Sequence, residues 1–248
     1  MSGNSLEDSV TLVTGASSGI GRATTHALAA RGADVVVAAR REDRLRELAD
    51  AVADEYGVET LVAPTDVTEE SEVEDLVATA VDAFGRLDVV VGNAGLGRDE
   101  TVIEDLQTEA YRQMMDVNCD GVFFLAREVM PYLKETEGSL VLMGSMAGQY
   151  PRPGSPVYAA TKWWIRGLAL SLSGSAGPEG VGVTAINPTE VLTEFGSEDG
   201  ESLGEQLTPE EAATPEDVAE AIAFAAEQET PNVVQELDLY RRNKFEDW

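Results

Sequence analysis

Ser9-Val10-Thr11-Leu12-Val13-Thr14-Gly15-Ala16-Ser17-Ser18-Gly19-Ile20-Gly21 is the stretch on which the reading of this chain turns. Ser9 to Thr14 is a short run of β-branched and apolar residues that stops at Gly15, as a strand does. Ile20 to Arg31 then reads as a helix that ends at Gly32. The glycines between them are spaced G-x-x-x-G-x-G rather than G-x-G-x-x-G, but the physics is shared. Glycine lets the chain turn tightly and approach a ligand closely, and the free N–H groups at the helix start hold a pyrophosphate. A glycine triplet alone is a weak signal, but its place between an apolar strand and a helix makes it strong. Gly15, Ser17, Ser18, Gly19, Ile20 and Gly21 are therefore candidate cofactor contacts.

Outward from this turn, strands and helices alternate almost to the end of the chain. Strands are expected at Asp34–Ala39, Glu59–Ala63, Leu87–Val91, Ser139–Met143, Val181–Ile186 and Asn232–Leu239. Helices are expected at Glu42–Tyr56, Glu69–Phe84, Thr108–Lys134, Val157–Ser173 and Pro215–Gln228. Strands this apolar are buried on both faces, as in a parallel sheet, and the alternation places helices on both sides. The expectation is an α/β fold, a doubly wound parallel sheet of Rossmann type with about seven strands, in one domain over residues 1–248. Thr189 to Ala213, rich in Glu, Ser and Gly, breaks the rhythm. It follows the sixth strand at the carboxyl edge, where ligands bind in such sheets, and is read as a substrate lid at 189–213.

The chain has 46 acidic and 17 basic residues and a net charge of −29. Such a surface repels nucleic acid and anionic lipid, which excludes both as partners. Acidic runs, such as Glu69 to Asp75 or Asp99-Glu100 with Glu104 and Asp105, read as solvated helix faces. At molar salt the Debye length shrinks to about 3 Å and self-repulsion costs little, so the composition predicts a halophilic chain. Cys119 stands alone, which rules out an intrachain disulfide and suits a cytoplasmic location. Met1 to Ser9 lacks the pattern of a signal peptide, and no apolar stretch approaches a membrane span.

Two groups of residues carry chemistry. At the end of the second strand, where an acidic residue would bind the ribose of NAD, stand Arg40 and Arg41. A planar guanidinium suits a 2′-phosphate, which favours NADP(H) over NAD(H). Further on, Tyr158 and Lys162 lie one helical turn apart on one face. A phenol ionises near pH 10, and a neighbouring ammonium lowers that value until the phenol can act as acid or base on an alcohol oxygen. Ser145, just past the fifth strand, could hold the same oxygen. Asn93-Ala94-Gly95 ends the fourth strand. Asn118 interrupts an apolar helix, either as a packing kink or as part of a water-holding relay.

With these residues in view, the chain resembles the short-chain dehydrogenase/reductase family from roughly Ser9 to Gln228. The likeness rests on Thr14 to Gly21, Asp66-Val67, Asn93-Ala94-Gly95, Asn118, Ser145, and Tyr158 with Lys162. It implies that Tyr158 exchanges the proton, Lys162 lowers its pKa and grips the nicotinamide ribose, Ser145 orients the carbonyl, and Asn118 holds a water. It further implies adenine contacts from Asp66 and Val67, a 2′-phosphate anchor at Arg40, and cofactor contacts from Pro188, Thr189, Val191 and Thr193. The chain departs from the family pattern at Thr189, which replaces a glycine and should stiffen that turn, and at Gly92, which replaces an asparagine.

The implied activity is NADP(H)-dependent interconversion of a carbonyl and an alcohol on a small-molecule substrate by a homotetramer or homodimer, with apolar helices such as Val117 to Met130 able to pair. The alternatives are a non-catalytic nucleotide sensor or scaffold, which would not need Ser145, Tyr158 and Lys162 together, and an epimerase or dehydratase of related fold. Glu194, Glu198, Asp199 and Glu201 of the lid would discourage anionic substrates if they pointed inward, whereas the tail, Pro215 to Leu239, resembles the branch of the family that acts on small 3-hydroxy acids or serine-like alcohols. His26 has no second histidine and Cys119 reads as buried packing. No ligand set suggests a metal. Trp163 and Trp164 read as core or oligomer packing.

Overall fold

Successive side chains along a strand face opposite ways, and in this sheet both faces are apolar. In β1 (Val10–Thr14) every residue is buried. Leu12 packs with Val36, Val90 and Leu140 on one side, while Val13 joins Val35, Val37 and Val141 on the other. Burying two faces requires a layer of helices on each. The computed structural model, which describes residues 5–97, 102–196, 202–208 and 210–246, has that arrangement. After β1 come α1 (Gly19–Ala29), β2 (Asp34–Ala39), α2 (Glu42–Tyr56), β3 (Thr60–Pro64), α3 (Glu70–Phe84) and β4 (Val89–Gly92). Then follow α4 (Thr108–Met115), α5 (Gly121–Thr136), β5 (Ser139–Met143), α6 (Pro156–Ala176), β6 (Gly182–Pro188), α7 (Leu203–Gln206), α8 (Pro215–Ala226) and β7 (Glu236–Leu239).

The seven strands lie in the order β3-β2-β1-β4-β5-β6-β7. All are parallel, so the fold is the doubly wound Rossmann-type sheet that the alternation implies. The order reverses between β1 and β4. That reversal opens a crevice at the carboxyl ends of the strands, the ligand-binding place in sheets of this kind.

Four expectations need correction. The helix read as Thr108–Lys134 is interrupted by a π-helical stretch, Asp116–Asp120, centred on Asn118. Single π turns inside helices often mark functional positions, and here the extra residue aims the Asn118 amide inward. The stretch after β6, read as a break in the strand–helix rhythm, carries a short helix of its own, α7, capped reciprocally by Ser202 and Glu205. The last strand begins only at Glu236, since Ala185 of β6 is the first residue with a strand partner there. Of the two readings of Trp163 and Trp164, core packing fails, since 47% and 38% of their surface is exposed. Asp99 and Glu100 of the acidic run lie outside the described residues, as do Glu198, Asp199 and Glu201 of the expected lid.

Candidate active site

The turn from β1 to α1 is built from close backbone approaches. Gly15 and Gly19 have φ of +65° and +51°, a region where any other residue is strained. A Cβ on Gly21 would come within 2.4 Å of the Gly15 carbonyl oxygen. The Thr14 hydroxyl oxygen accepts hydrogen bonds from the backbone N–H groups of Asn93 and Ala94, each at 3.1 Å. The Asn93 side-chain amide donates back to the Thr14 carbonyl at 2.9 Å. Asn93 and Ala94 thus brace the end of β4 against the glycine turn. In this acidic chain the first turn of α1 carries no carboxylate, and Ser18 makes no side-chain cap there. Its N–H groups and the positive end of its dipole are left for an anion, so the cradle fits a pyrophosphate. Ile20 packs on the core below.

The arginines after β2 meet this turn from above. Arg41 donates to the Ser17 hydroxyl at 2.9 Å and to the Ser18 hydroxyl at 2.7 Å. It also pairs with Glu194 at 3.2 Å, and Arg44 pairs with the same carboxylate at 2.8 Å. Hydrogen bonding to Arg44, and then to Arg41, holds the Glu194 carboxyl below the usual carboxylate range. Arg40 is exposed. Arg41, exposed like Arg40, folds its guanidinium over the glycine turn. Arg44 went unread although it lies one helical turn beyond Arg41, because an arginine on an exposed helix face gives no signal by itself. Glu194 points to these arginines, not toward Tyr158.

On the next element, Asp66 closes its own loop by accepting from the backbone N–H and the hydroxyl of Thr68, at 3.0 and 2.8 Å. Val67 packs against Gly121, where an added Cβ would come within 2.9 Å of the Val67 carbonyl oxygen.

The residues of the chemical end meet across β4, β5 and α6. Ser145 follows β5 and accepts from the Ala147 N–H at 3.1 Å. Its hydroxyl lies near enough to the phenol of Tyr158 to favour the phenolate. The Lys162 ammonium lies 5.8 Å from the Tyr158 ring centre and donates to the Met143 carbonyl at 2.8 Å. Asn118 is wholly buried. Its amide N–H donates to the Leu96 carbonyl at 2.8 Å and to the Thr161 hydroxyl at 3.0 Å, while its oxygen accepts from the Leu96 N–H at 2.9 Å. Thr161 in turn donates to the backbone carbonyl of Tyr158 at 2.7 Å. Gly95 lies between these groups: a Cβ there would be 3.4 Å from Asn118 Oδ1 and 3.6 Å from Lys162 Nζ. Thr161 escaped the sequence reading because a threonine within a helix resembles any packed β-branched residue.

The ionisation states differ from the expectation. Burial pushes the Tyr158 phenol above its ordinary value, and the Ser145 hydroxyl and the charge of Arg152 only partly oppose this. Burial pulls Lys162 down to about 8. Lys162 therefore does not dominate the phenol here. Its ammonium is directed at a carbonyl, and desolvation outweighs charge for both groups. Burial, and then Asp120, push the Cys119 thiol up to about 11, which suits a protonated packing residue.

Pro188 and Thr189 leave β6 beside Leu239 of β7. The Thr189 hydroxyl is buried with no hydrogen-bond partner among the described residues. Val191 is buried and bridges to Ala213. The Thr193 side chain covers Gly19, at 3.0 Å from the place of an added Cβ. Phe195 packs its ring 5.8 Å from that of Tyr158. Residues 191–195 thus cross the crevice from the phosphate turn to the phenol. No helix among the described residues is long and apolar enough to cross a membrane.

Comparison with known proteins places this geometry in a family. A model of the short chain dehydrogenases matches residues 9–203. The chain is 34% identical over 240 residues to an uncharacterised oxidoreductase of Staphylococcus saprophyticus, covering 94% of this chain and 96% of that one. It is similar to an alcohol dehydrogenase from the archaeon Thermococcus sibiricus, solved with 5-hydroxy-NADP, at 32% identity and a TM-score of 0.87 over 93% of this chain and 95% of that one. It is also similar to a 3-ketoacyl-(acyl-carrier-protein) reductase from Brucella melitensis, solved with NADH, at 28% identity and a TM-score of 0.83 over 95% and 98%. With a glycine cradle that fits a dinucleotide at the switch point of its sheet, the chain belongs to the short-chain dehydrogenase family and is an NAD(P)-dependent oxidoreductase.

Proposed function

We propose that the protein interconverts a small-molecule ketone or aldehyde and its alcohol, with NADP(H) preferred over NAD(H) and with Asn118, Ser145, Tyr158 and Lys162 as its chemical residues. The observation that carries this is the Ser145–Tyr158 hydroxyl pair, with the Lys162 ammonium over the same ring, at the carboxyl edge beside the glycine turn. A bound nicotinamide would supply or accept the hydride. Gly15, Ser17, Ser18, Gly19, Ile20 and Gly21 would hold its pyrophosphate. Asp66, Val67, Asn93, Ala94 and Gly95 would line the adenosine side, and Pro188, Thr189, Val191 and Thr193 the nicotinamide side. Arg41, joined by Arg44 and flanked by Arg40, would receive the 2′-phosphate.

Ser145 donates to the carbonyl oxygen and fixes it against Tyr158, which gives the oxygen its proton as charge develops. A phenol raised by burial is protonated at neutral pH, the state that reduction needs. Lys162 carries the nearby positive charge that stabilises the phenolate left behind. Asn118, through Thr161, fixes the backbone of Tyr158. With both ends of its amide engaged, a relay water is left to its backbone carbonyl. Residues 189–213 act as the lid of a single domain, with Phe195 keeping water from the Tyr158 ring. Exposed rings of Phe123 on α5 and of Trp163 and Trp164 on α6 suit pairing into a homodimer or homotetramer. The acidic surface suits a halophilic cytoplasm.

The test is Tyr158→Phe, assayed by NADPH oxidation against a panel of aldehydes and ketones, with NADPH binding followed by fluorescence. Turnover should fall by about 1,000-fold or more, while NADPH affinity stays within roughly two-fold. Undiminished turnover in that variant would refute the mechanism. A parent protein that binds NADPH and reduces nothing would favour the sensor instead.

A further inference from the structure

Glu194 is an acid set against the basic residues that favour a phosphate. Its carboxylate lies 2.8 Å from Arg44 Nη1 and 3.2 Å from Arg41 Nη1. Arg41 is fixed on its other edge by the hydroxyls of Ser17 and Ser18, so this guanidinium is already aimed at the phosphate turn. The chain itself supplies the anion. Glu194 is carried there by its neighbours, with Thr193 over Gly19 and Phe195 beside the Tyr158 ring. Two backbone bonds tie this segment to α7, from Leu203 N–H to the Phe195 carbonyl and from Gly204 N–H to the Thr193 carbonyl, each at 3.0 Å. Behind it is a cavity of about 460 Å³, lined in part by Ala23, His26, Leu192, Thr193 and Glu194, which leaves the side chain room to withdraw.

Building on the dinucleotide reading above, we propose that Glu194 is a cofactor-specificity residue, whose carboxylate takes the place at Arg41 and Arg44 that a 2′-phosphate would take. NADP(H) must displace this carboxylate or lie beside it, and either costs affinity through like-charge repulsion and lost ion pairs. NAD(H) has no phosphate there and meets no such cost. Glu194 therefore narrows the preference for NADP(H) that the arginines create. Because both arginines and Glu194 are about half exposed, the effect is modest and screened by salt.

The experiment is titration of NADPH and NADH, read by tryptophan and nicotinamide fluorescence, into the parent chain, Glu194→Gln and Glu194→Ala. In dilute buffer both variants should bind NADPH about five-fold more tightly and NADH within about two-fold of the parent. In molar salt the NADPH gain should shrink below roughly two-fold, as the Debye length falls to about 3 Å. Glu194→Gln is nearly isosteric and keeps the test valid if the alanine variant packs poorly. Unchanged NADPH affinity, or an equal gain for NADH, would overturn the proposal while leaving the cofactor reading intact. Failure of every form to bind either nucleotide would overturn that reading, and this proposal with it.

Discussion

The glycine turn after β1 and the segment from Thr189 to Phe195 border the same crevice but are held differently. The turn is held by backbone: Gly21 against the Gly15 carbonyl, and Thr14 against the N–H groups of Asn93 and Ala94. These groups are largely buried, so their bonds are short-ranged and almost blind to salt. The crossing segment is tied by backbone bonds to Leu239, Ala213, Leu203 and Gly204, and side-chain charge is added to these. Glu194 pairs with Arg41 and Arg44, and Glu190 pairs with Lys244 at 2.5 Å, with Arg152 and Arg241 at the edge of ion-pair range. It also leaves the Thr189 hydroxyl and Arg241 Nε buried without hydrogen-bond partners among the described residues. A backbone-braced wall preserves the shape of a phosphate cradle. A wall that adds exposed ion pairs to its backbone bonds can be retuned by salt, by a ligand's own charge, or by one substitution.

The largest expected effect lies in the cradle. In Gly21→Ala the new Cβ would lie 2.4 Å from the Gly15 carbonyl oxygen and 2.6 Å from the Asn93 amide nitrogen. Backbone cannot yield as a side chain does, so the cost should reach about 3 kcal/mol, or roughly 10 °C in Tm. Gly204→Ala, whose Cβ would stand 3.2 Å from the Thr193 carbonyl oxygen, should cost about 1 kcal/mol or less by the same thermal melt. Similar losses at both positions would dissolve the contrast.

Lys162 tests whether the chemistry shares the rigidity of the framework that holds it. Its folded value of about 8 lies below its ordinary 10.5. Below pH 8 it is charged both folded and unfolded, and burial of that charge opposes folding by about 3 kcal/mol at most. The cost shrinks as pH rises through 8 and vanishes above 10.5. Lys162→Met should therefore melt higher than the parent near pH 7, with the difference closing toward pH 10.5, even as turnover is lost. A variant less stable at neutral pH would mean that the bond to the Met143 carbonyl outweighs desolvation.

A smaller effect is expected from Thr14→Val, which removes the acceptor shared by Asn93 and Ala94 and should cost about 2 kcal/mol in urea unfolding. The least change per bond should come with salt, but it should separate the two walls. Moving from dilute buffer to molar salt should raise the global Tm by several degrees, because a net charge of −29 repels itself less. Amide exchange in residues 191–196 should quicken over the same range as its ion pairs are screened. A Tm that does not rise would count against salt adaptation, and uniform slowing of exchange against the difference between the walls.

Much of this was legible before any coordinates. The strand Asp34–Ala39, the helix Glu42–Tyr56 and the strand Ser139–Met143 were read at their observed ends, because apolar run, helical period and glycine stop agree there. The approach of Ser145, Tyr158 and Lys162 was legible too, since one helical turn and one strand end leave little freedom. The π-helical form of the interruption at Asn118 was hidden, because it depends on Leu96 donating and accepting, and Thr161 accepting, across distant segments. The pairing of Glu194 with Arg41 and Arg44 was also hidden. In a chain with 46 acidic residues, nothing local marks which carboxylate meets which arginine.

The amino-acid order by itself determined the alternation of strands and helices, the glycine cradle and the one-turn spacing of Tyr158 and Lys162, because these depend on periods and spacings along one chain. Tertiary structure alone decided which arginine covers the cradle, which acid answers it, and how far burial overrides charge at Tyr158 and Lys162. Those outcomes depend on distance and desolvation, which arise only when segments remote in the chain are packed together.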